Sequence, residues 1–261
     1  MKVHHLNCGT MRPFGGRLVD GRGSYFHRAE LVCHVVLLEA DDGLILVDTG
    51  LGLDDLRDPK ATLSAQYRHV SRPVLDERET ALRQVEALGF SADDVRHIAL
   101  THLDVDHAGG LRDFPSARVH VLKEELDDSA NPRYSPGQWR HADFVPHEPT
   151  GEEWFGFRGV RELRPDVLLV PLIGHTRGHT GVAIRVEDRW LLHAGDAYFF
   201  HGEMSAPPHI PSGLKYFQDR AETVRGLRLS NQDRLREVAG QVDVFCAHDP
   251  VELRQRQPHR V

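Results

Sequence analysis

Apolar and polar positions in the first fifty residues follow the pattern of a β-hairpin. Two aliphatic runs, Leu31–Leu38 and Leu44–Val47, flank an acidic turn that ends in Gly43. Such runs on either side of an Asp-Asp-Gly turn favour two paired strands. The second strand leads directly into residues 48–50 (DTG), a polar, glycine-bearing segment that is typical of a strand end at a functional face.

The rest of the chain alternates between short strands and helices. Leu82, Val85 and Leu88 recur at helical spacing and predict a helix over Glu79–Leu88, with Gly89 as its stop signal. Further strands are predicted at His97–Leu100, Arg118–Leu122, Val167–Ile173, Val182–Val186, Trp190–His193 and Val242–Cys246, and helical segments at Lys123–Leu126, 214–228 and 231–239. Strands followed by helices in both halves indicate two packed sheets with helices outside.

Residues 129–165 differ from this regular pattern. They are rich in Pro, Gly, Trp, Phe and charge and show no sustained period, so we predict a long irregular excursion within one domain that spans residues 1–261. Excursions of this kind form lids, substrate walls or plain surface insertions. The aromatic residues near the N-terminus, Phe14, Tyr25 and Phe26, are further candidates for a pocket wall or a homodimer contact, and the sequence favours neither.

Composition narrows the class of partner. The formal net charge of -7 argues against nucleic acid, which requires a basic surface. No apolar run reaches the roughly 20 residues of a membrane span, so no membrane partner is expected. Cys8, Cys33 and Cys246 are too few and too widely spaced for a disulfide framework, which favours a reducing cytoplasm. The unusual count is 18 histidines, which raises the question of which of them cluster with carboxylates.

One loop concentrates potential metal ligands. His102, Asp104, Asp106 and His107 fall within six residues, directly after the strand His97–Leu100. In an extended or tightly turned loop, residues two apart converge on one face while their neighbours point elsewhere, so one loop can serve two adjacent metal positions. Imidazole together with carboxylate suits zinc, iron or manganese.

Three later strands also end in candidate ligands. His175 and His179 follow the strand Val167–Ile173, within the segment GHTRGH. Asp196 follows Trp190–His193 after a glycine, and His248 follows Val242–Cys246. Each places an imidazole or a carboxylate just beyond a buried strand.

These four segments, in this order and spacing, resemble the metallo-β-lactamase superfamily, whose usual pattern is HxHxDH, then GHTxGH, a bridging Asp and a final His. The resemblance runs from LILVDTG at 44–50 to His248 and implies an α/β fold, the four-layer αββα sandwich. It further implies that His102, Asp104 and His175 hold one divalent ion, that Asp106, His107 and His248 hold a second, and that Asp196 bridges the two. By the same resemblance, His179 orients its neighbours without binding metal and Asp48 supports the site from beneath.

Asp104 departs from that pattern, because the superfamily usually has His at this position. A third carboxylate lowers the positive charge of the site, which should acidify bound water less and favour harder metals relative to zinc. We expect zinc to be the preferred metal and the site to accept Mn or Fe as well. We also expect the activity to be higher at alkaline pH. The alternative hypothesis is that Asp104 leaves its position weakly occupied, so that the site holds a single metal ion.

Within the superfamily the chain looks closest to the N-acyl homoserine lactone lactonases, on the segments at 33–52, 86–111 and 247–252. The resemblance implies a small-molecule substrate, a lactone whose ring is opened by a metal-activated hydroxide. Asp106 and Tyr198 are the candidate catalytic residues. Tyr198 stands two residues after Asp196, which is not quite where those lactonases have their tyrosine, and packing is the alternative role.

Other functions remain open at this level. A glyoxalase-II-type thioesterase would require a basic patch for an anionic substrate, and the arginines that could supply one are Arg220, Arg225, Arg228, Arg234 and Arg236. Helical spacing of such residues more often marks a solvated face. A non-catalytic metal-binding sensor is a further alternative, because an altered ligand set also accompanies the loss of catalysis.

Overall fold

Two mixed β-sheets pack face to face in the computed structural model, which describes residues 1–257. The first sheet has the strand order β1 (Lys2–Met11), β2 (Leu31–Ala40), β3 (Gly43–Val47), β4 (Val95–Ala99), β5 (Arg118–Leu122) and β6 (Asp143–His147). The second has the order β13 (Val242–Phe245), β12 (Arg189–His193), β11 (Thr180–Val186), β10 (Val167–Pro171) and β9 (Arg161–Arg164). A separate hairpin pairs β7 (Gly151–Trp154) with β8 (Phe157–Gly159).

Helices cover the outer faces of both sheets. They are α1 (Arg17–Asp20), α2 (Leu53–Arg57), α3 (Pro59–Thr62), α4 (Ala65–Val70), α5 (Ala81–Ala87), α6 (Val105–Ala108), α7 (Lys123–Asp127), α8 (Pro136–Trp139), α9 (Ser212–Ala221), α10 (Arg225–Val238) and α11 (Pro250–Arg256). Short 3₁₀ turns lie at Glu77–Glu79, Ala92–Asp94, Gly109–Asp113 and His201–Met204. Within residues 1–257, none of these helices combines the length and apolar composition that crossing a bilayer requires.

The buried apolar side chains form three layers. The middle layer lies between the sheets, where Val36 and Ile45 of the first sheet meet Leu169 and Ile184 of the second. The other two layers lie between each sheet and its helices. Because β2, β3 and β10 are covered on two faces, their sequences are nearly continuous apolar runs. This is the predicted αββα sandwich.

Strand directions gather the polar loops at one edge of the sandwich. β3 pairs with β4 in parallel, and β12 pairs with β13 in parallel. The carboxyl ends of these neighbouring strands therefore open onto the same edge. β4 leads into the loop that carries His102, while β12 and β13 lead into Asp196 and His248.

The prediction of an irregular excursion at residues 129–165 was wrong. This stretch contains α8 and four strands, of which β6 extends the first sheet and β9 extends the second. The strands are short and their exposure does not alternate cleanly, so the sequence carries no sustained period. The predicted break between two helices at 228–231 was also wrong. The chain leaves the helix earlier, where the amides of Thr223 and Val224 donate to the carbonyl of Gly174 at 2.9 and 2.8 Å.

Candidate metal centre

The loop after β4 is held in place by Asp48, at the end of β3. Asp48 adopts a left-handed backbone conformation, with φ of 60°. Its carboxylate accepts bonds from the Thr101 amide (2.7 Å), the Thr101 hydroxyl (2.8 Å) and His107 Nδ1 (2.8 Å). Burial raises the pKa of Asp48, but the charge and hydrogen bond of His107 outweigh burial and lower it. With Nδ1 of His107 donating to Asp48, its Nε2 turns a lone pair toward the site.

The first candidate metal position lies among His102, Asp104, His175 and Asp196. Asp104 Oδ2 is 3.3 Å from His102 Nε2 and 3.0 Å from His175 Nε2. Asp196 Oδ2 closes the group at 3.4 Å from His175 Nε2 and 3.8 Å from His102 Nε2. The resemblance grouped these residues, and the fold brings them together.

The second candidate position lies among Asp106, His107, His248 and the other oxygen of Asp196. Asp196 Oδ1 is 3.3 Å from His107 Nε2 and 3.1 Å from His248 Nε2, and the two rings approach to 3.4 Å. Asp106 Oδ2 is 3.8 Å from His248 Nε2. The Asp196 carboxylate thus lies between the two positions: Oδ1 faces the second, and Oδ2 faces the first but also lies 3.3 Å from His248 Nε2.

Spacing and burial fit a pair of divalent ions. A tetrahedral ion about 2.0–2.2 Å from each ligand holds neighbouring ligand atoms about 3.3–3.6 Å apart, close to the separations found here. Within the described residues, His102 Nε2 and Asp196 Oδ1 are buried atoms without a hydrogen-bond partner. Native proteins rarely leave such atoms unsatisfied, and a metal ion would satisfy both. Among residues 1–257, three groups of possible ligand atoms lie close enough together to hold an ion; they contain all seven predicted residues and Cys33, and one group, His102, His107 and Asp196, spans both positions.

Arg133, which the sequence did not single out, also reaches the first position. Its Nε donates to Asp104 Oδ1 at 2.8 Å, and its Nη2 donates both to Asp104 Oδ2 and, at 3.0 Å, to His175 Nε2. Burial raises the pKa of Asp104, but the Arg133 charge, followed by bonds to the two histidines, holds it well below its usual range. The carboxylate of Asp104 is therefore paired with the guanidinium of Arg133. The charge of Arg133 offsets the negative charge that Asp104 adds to the site.

Glu125 of α7 joins the two ligand loops from below. This buried carboxylate accepts bonds from the Leu103 amide (2.9 Å), the Thr176 hydroxyl (2.6 Å) and the Gly178 amide (3.1 Å). A Cβ at position 178 would lie 2.2 Å from the Glu125 backbone nitrogen, so only glycine fits there. The glycine of the GHTRGH segment thus has a packing reason, which the sequence alone does not reveal.

A thiol borders the second position. The Cys33 sulfur, an Asp106 oxygen and a His248 nitrogen all lie within 4.8 Å of one another. Burial raises the pKa of Cys33 well above its usual value, and the nearby Asp106 acts in the same direction, so the thiol is protonated in the absence of metal. All three cysteines are free and buried. Cys33 carries no motif, and its spacing from the other two cysteines gives no sign of a role beside the candidate ligands.

The structure contradicts the catalytic role predicted for Tyr198. Its side chain is fully buried in the apolar layer beneath the second sheet, and its hydroxyl donates to Glu252 at 2.9 Å. The next residue, Phe199, faces the site instead, with its ring 5.8 Å from that of His175 and 5.4 Å from that of His248. Packing, the alternative role, is the one that Tyr198 has.

Two further histidines near the site, His179 and His201, lie outside the ligand set. His179 Nδ1 donates to the carbonyl of Leu172 at 3.0 Å, and its Nε2 accepts from the Asp196 amide at 2.8 Å. Both ring nitrogens are therefore occupied, and His179 orients the bridging residue, in line with the expectation from the resemblance. His201 is half-exposed and hydrogen-bonded to Asp249.

Comparison with known proteins decides the family. The profile of the metallo-β-lactamase superfamily matches residues 28–230. The chain belongs to this superfamily. It is 42% identical to a probable metallo-hydrolase of Mycobacterium tuberculosis, over 96% of this chain and 81% of the relative. It is 30% identical to an N-acyl homoserine lactonase of Azorhizobium caulinodans, over 96% of this chain and 94% of the relative.

Solved structures agree with the fold. An N-acyl homoserine lactone hydrolase with N-hexanoyl-L-homoserine bound at its catalytic metal centre superposes with a TM-score of 0.76 at 22% identity, covering 100% of this chain and 98% of that one. A dizinc quorum-quenching lactonase superposes with a TM-score of 0.64 at 18% identity, covering 96% and 90%. The protein is a metallo-β-lactamase superfamily hydrolase with a candidate divalent-metal site at the edge of its sandwich.

Proposed function

We propose that this hydrolase opens the ring of N-acyl homoserine lactones or closely related lactones with two divalent ions, zinc first and Mn or Fe as alternatives. The observation that carries the dinuclear assignment is the position of the Asp196 carboxylate, which lies between the two groups of ligands and within 3.4 Å of His175, His107 and His248. Bound ions would supply an activated water and polarise the lactone carbonyl. Asp106 and His107 would hold the second ion, while His102 and His175 would fix the first.

The surroundings of the site suit a neutral acyl chain. The Phe199 ring packs against the rings of two candidate ligands, and Phe217 of α9 lies 6.0 Å from Phe199 with 45% of its surface exposed. An apolar patch beside a polar centre offers a surface for an acyl tail while the lactone ring faces the ligands. The lactonase names of several relatives support the same reading, and their quorum-quenching role is part of the proposal.

The thioesterase alternative loses its main support. Each of the five arginines that could receive an anionic substrate contacts an acidic or aromatic side chain of α9, of α10 or of the turn between them. Arg228 is buried against Glu222 at 2.5 Å, and Arg234 pairs with Glu237 at 2.9 Å. Arg225 contacts Asp219 and Glu222, and Arg236 pairs with Asp233. The guanidinium of Arg220 lies over the Tyr216 ring.

An assay on a matched substrate panel tests this proposal. Metal-free protein reconstituted with Zn²⁺, Mn²⁺ or Fe²⁺ is offered N-hexanoyl and N-decanoyl homoserine lactones and a glutathione thioester, and products are measured by mass spectrometry. We expect opened N-acyl homoserines, with no turnover after chelation. Phe217→Ala should lower kcat/KM for the decanoyl substrate more than for the hexanoyl one, whereas Phe26→Ala, which alters a fully exposed ring, should change neither. Turnover of the thioester alone would overturn the proposal.

A further inference from the structure

Arg133 enters the first metal position from a segment between α7 and α8. An arginine carries five N–H donors and no acceptor, and it keeps its charge at all ordinary pH values. Nη2 therefore occupies Asp104 Oδ2 and also lies 3.0 Å from His175 Nε2, which is itself 3.0 Å from Asp104 Oδ2. These are two of the atoms that an ion at the first position requires.

The guanidinium is fixed rather than freely mobile. Besides its two contacts with Asp104, Nη1 donates to the carbonyl of Ala221 at 2.9 Å and lies 3.4 Å from the carbonyl of His175. Only 21% of the side chain is exposed. Every nitrogen of the group thus has a partner, and a bidentate pair with a carboxylate is the most rigid arrangement open to arginine.

Among the described residues, no arginine or lysine contacts the ligands of the second position. His248 Nδ1 donates to the Val32 carbonyl at 2.7 Å, and His107 Nδ1 donates to Asp48 at 2.8 Å. The Nε2 atoms of both histidines face the position and Asp196. An ion there meets ligands that are already oriented and that make no hydrogen bond to a guanidinium group.

We propose that Arg133 determines the occupancy of the first metal position, because it competes with the ion for Asp104 and His175 and repels it. The second position then fills first and the first position binds its ion more weakly. This inference rests on the proposed two-ion site, and it makes Arg133 a positioning residue for the metal centre. Removing the charge should tighten the first position only.

Metal titration of the metal-free protein tests the inference without any substrate. Binding of Mn²⁺ and of Zn²⁺ is followed by isothermal titration calorimetry, with bound metal counted by elemental analysis. For the wild type we expect two classes of site whose affinities differ by about tenfold or more, since a unit charge a few ångströms from an ion contributes at least that much in a partly buried site. His175→Ala should abolish the weaker class and so identify it as the first position.

Three variants complete the design. Arg133→Gln should raise the affinity of the weaker class about tenfold and leave the stronger class within about twofold. Arg133→Lys keeps the charge and should remain close to the wild type. Arg158→Gln removes the same charge from a side chain that is 88% exposed and should change nothing.

The outcomes separate the two proposals. An unchanged or weaker first position in Arg133→Gln, with native circular dichroism, would overturn the role of Arg133, as would two classes of equal affinity in the wild type. If Arg133→Gln does not fold, the metal affinity of Arg133→Lys tests the inference instead. Because this variant keeps the positive charge, a first-position affinity above that of the wild type would contradict the inference. Two unequal classes with no lactone turnover would sustain the role of Arg133 while the proposed substrate fails.

Discussion

The two candidate metal positions share Asp196 but have different surroundings. The second is completed by His107 and His248, whose outer nitrogens are tied to Asp48 and to a backbone carbonyl. The first is completed by His102, His175 and Asp104, and Asp104 is clamped by Arg133. The difference shows that residue types at ligand positions do not define a metal site by themselves, because the groups that engage those ligands decide how readily an ion is held.

Removing the shared residue should have the largest effect. Asp196→Ala takes one ligand atom from each position and should lower kcat/KM for the best lactone about a thousandfold or more, because several kcal/mol of carbonyl polarisation and water activation depend on the ions. Elemental analysis should find most of the metal lost. Asp188→Ala, in an exposed turn, is the matched control. Retention of both ions by Asp196→Ala would show that the two positions are not bridged.

Breaking the ion pair at the first position should have a smaller, measurable effect on stability. Asp104→Asn leaves the partly buried Arg133 without its counter-charge, so we expect the free energy of unfolding of the metal-free protein to fall by about 2 kcal/mol. Adding Arg133→Gln should recover part of that loss, since two neutral amides can pair. Urea denaturation in the presence of a chelator measures both. An additive loss in the double variant would mean that the two side chains do not interact.

A third expected effect concerns pH and the support of the second position. Glu252 lies in the helix that follows His248, accepting from the Cys246 amide (2.8 Å) and from Tyr198. Burial raises its pKa from 4.5 to about 7. Between these pH values the folded state holds a proton that the unfolded state has lost, so this group makes the wild type less stable as pH rises through that window.

Glu252→Gln removes this titration while keeping polar partners for Tyr198 and Cys246. The variant should match the wild type near pH 5 and exceed it near pH 8 in chemical denaturation of the metal-free protein. Glu153→Gln, at a site with 61% of its side chain exposed, should follow the wild-type curve at both pH values. A constant difference between Glu252→Gln and wild type across this range would refute the account of Glu252.

The alternation of strands and helices predicted two packed sheets, and the resemblance to the superfamily implied the αββα sandwich and the seven candidate ligands. These ligands follow apolar strands, and the fold brings the ends of those strands to one edge. Arg133 escaped notice for a physical reason. It comes from a stretch without hydrophobic period, and its partner Asp104 is 29 residues away, so only the folded chain brings them together. Tyr198 was misjudged because the chain after Asp196 turns residue 198 into the core and residue 199 toward the site. The residue that faces the site is therefore Phe199, one position later than predicted, and Tyr198 packs in the core.

Anomalous diffraction from crystals loaded with a limiting amount of Mn²⁺ or Zn²⁺ tests the inequality of the two positions most directly, because it locates each ion and measures its occupancy. The account predicts two peaks on opposite sides of the Asp196 carboxylate, with the higher occupancy between His107 and His248 and the lower one between His102 and His175. Equal peaks, or a single peak beside Asp104, would contradict it.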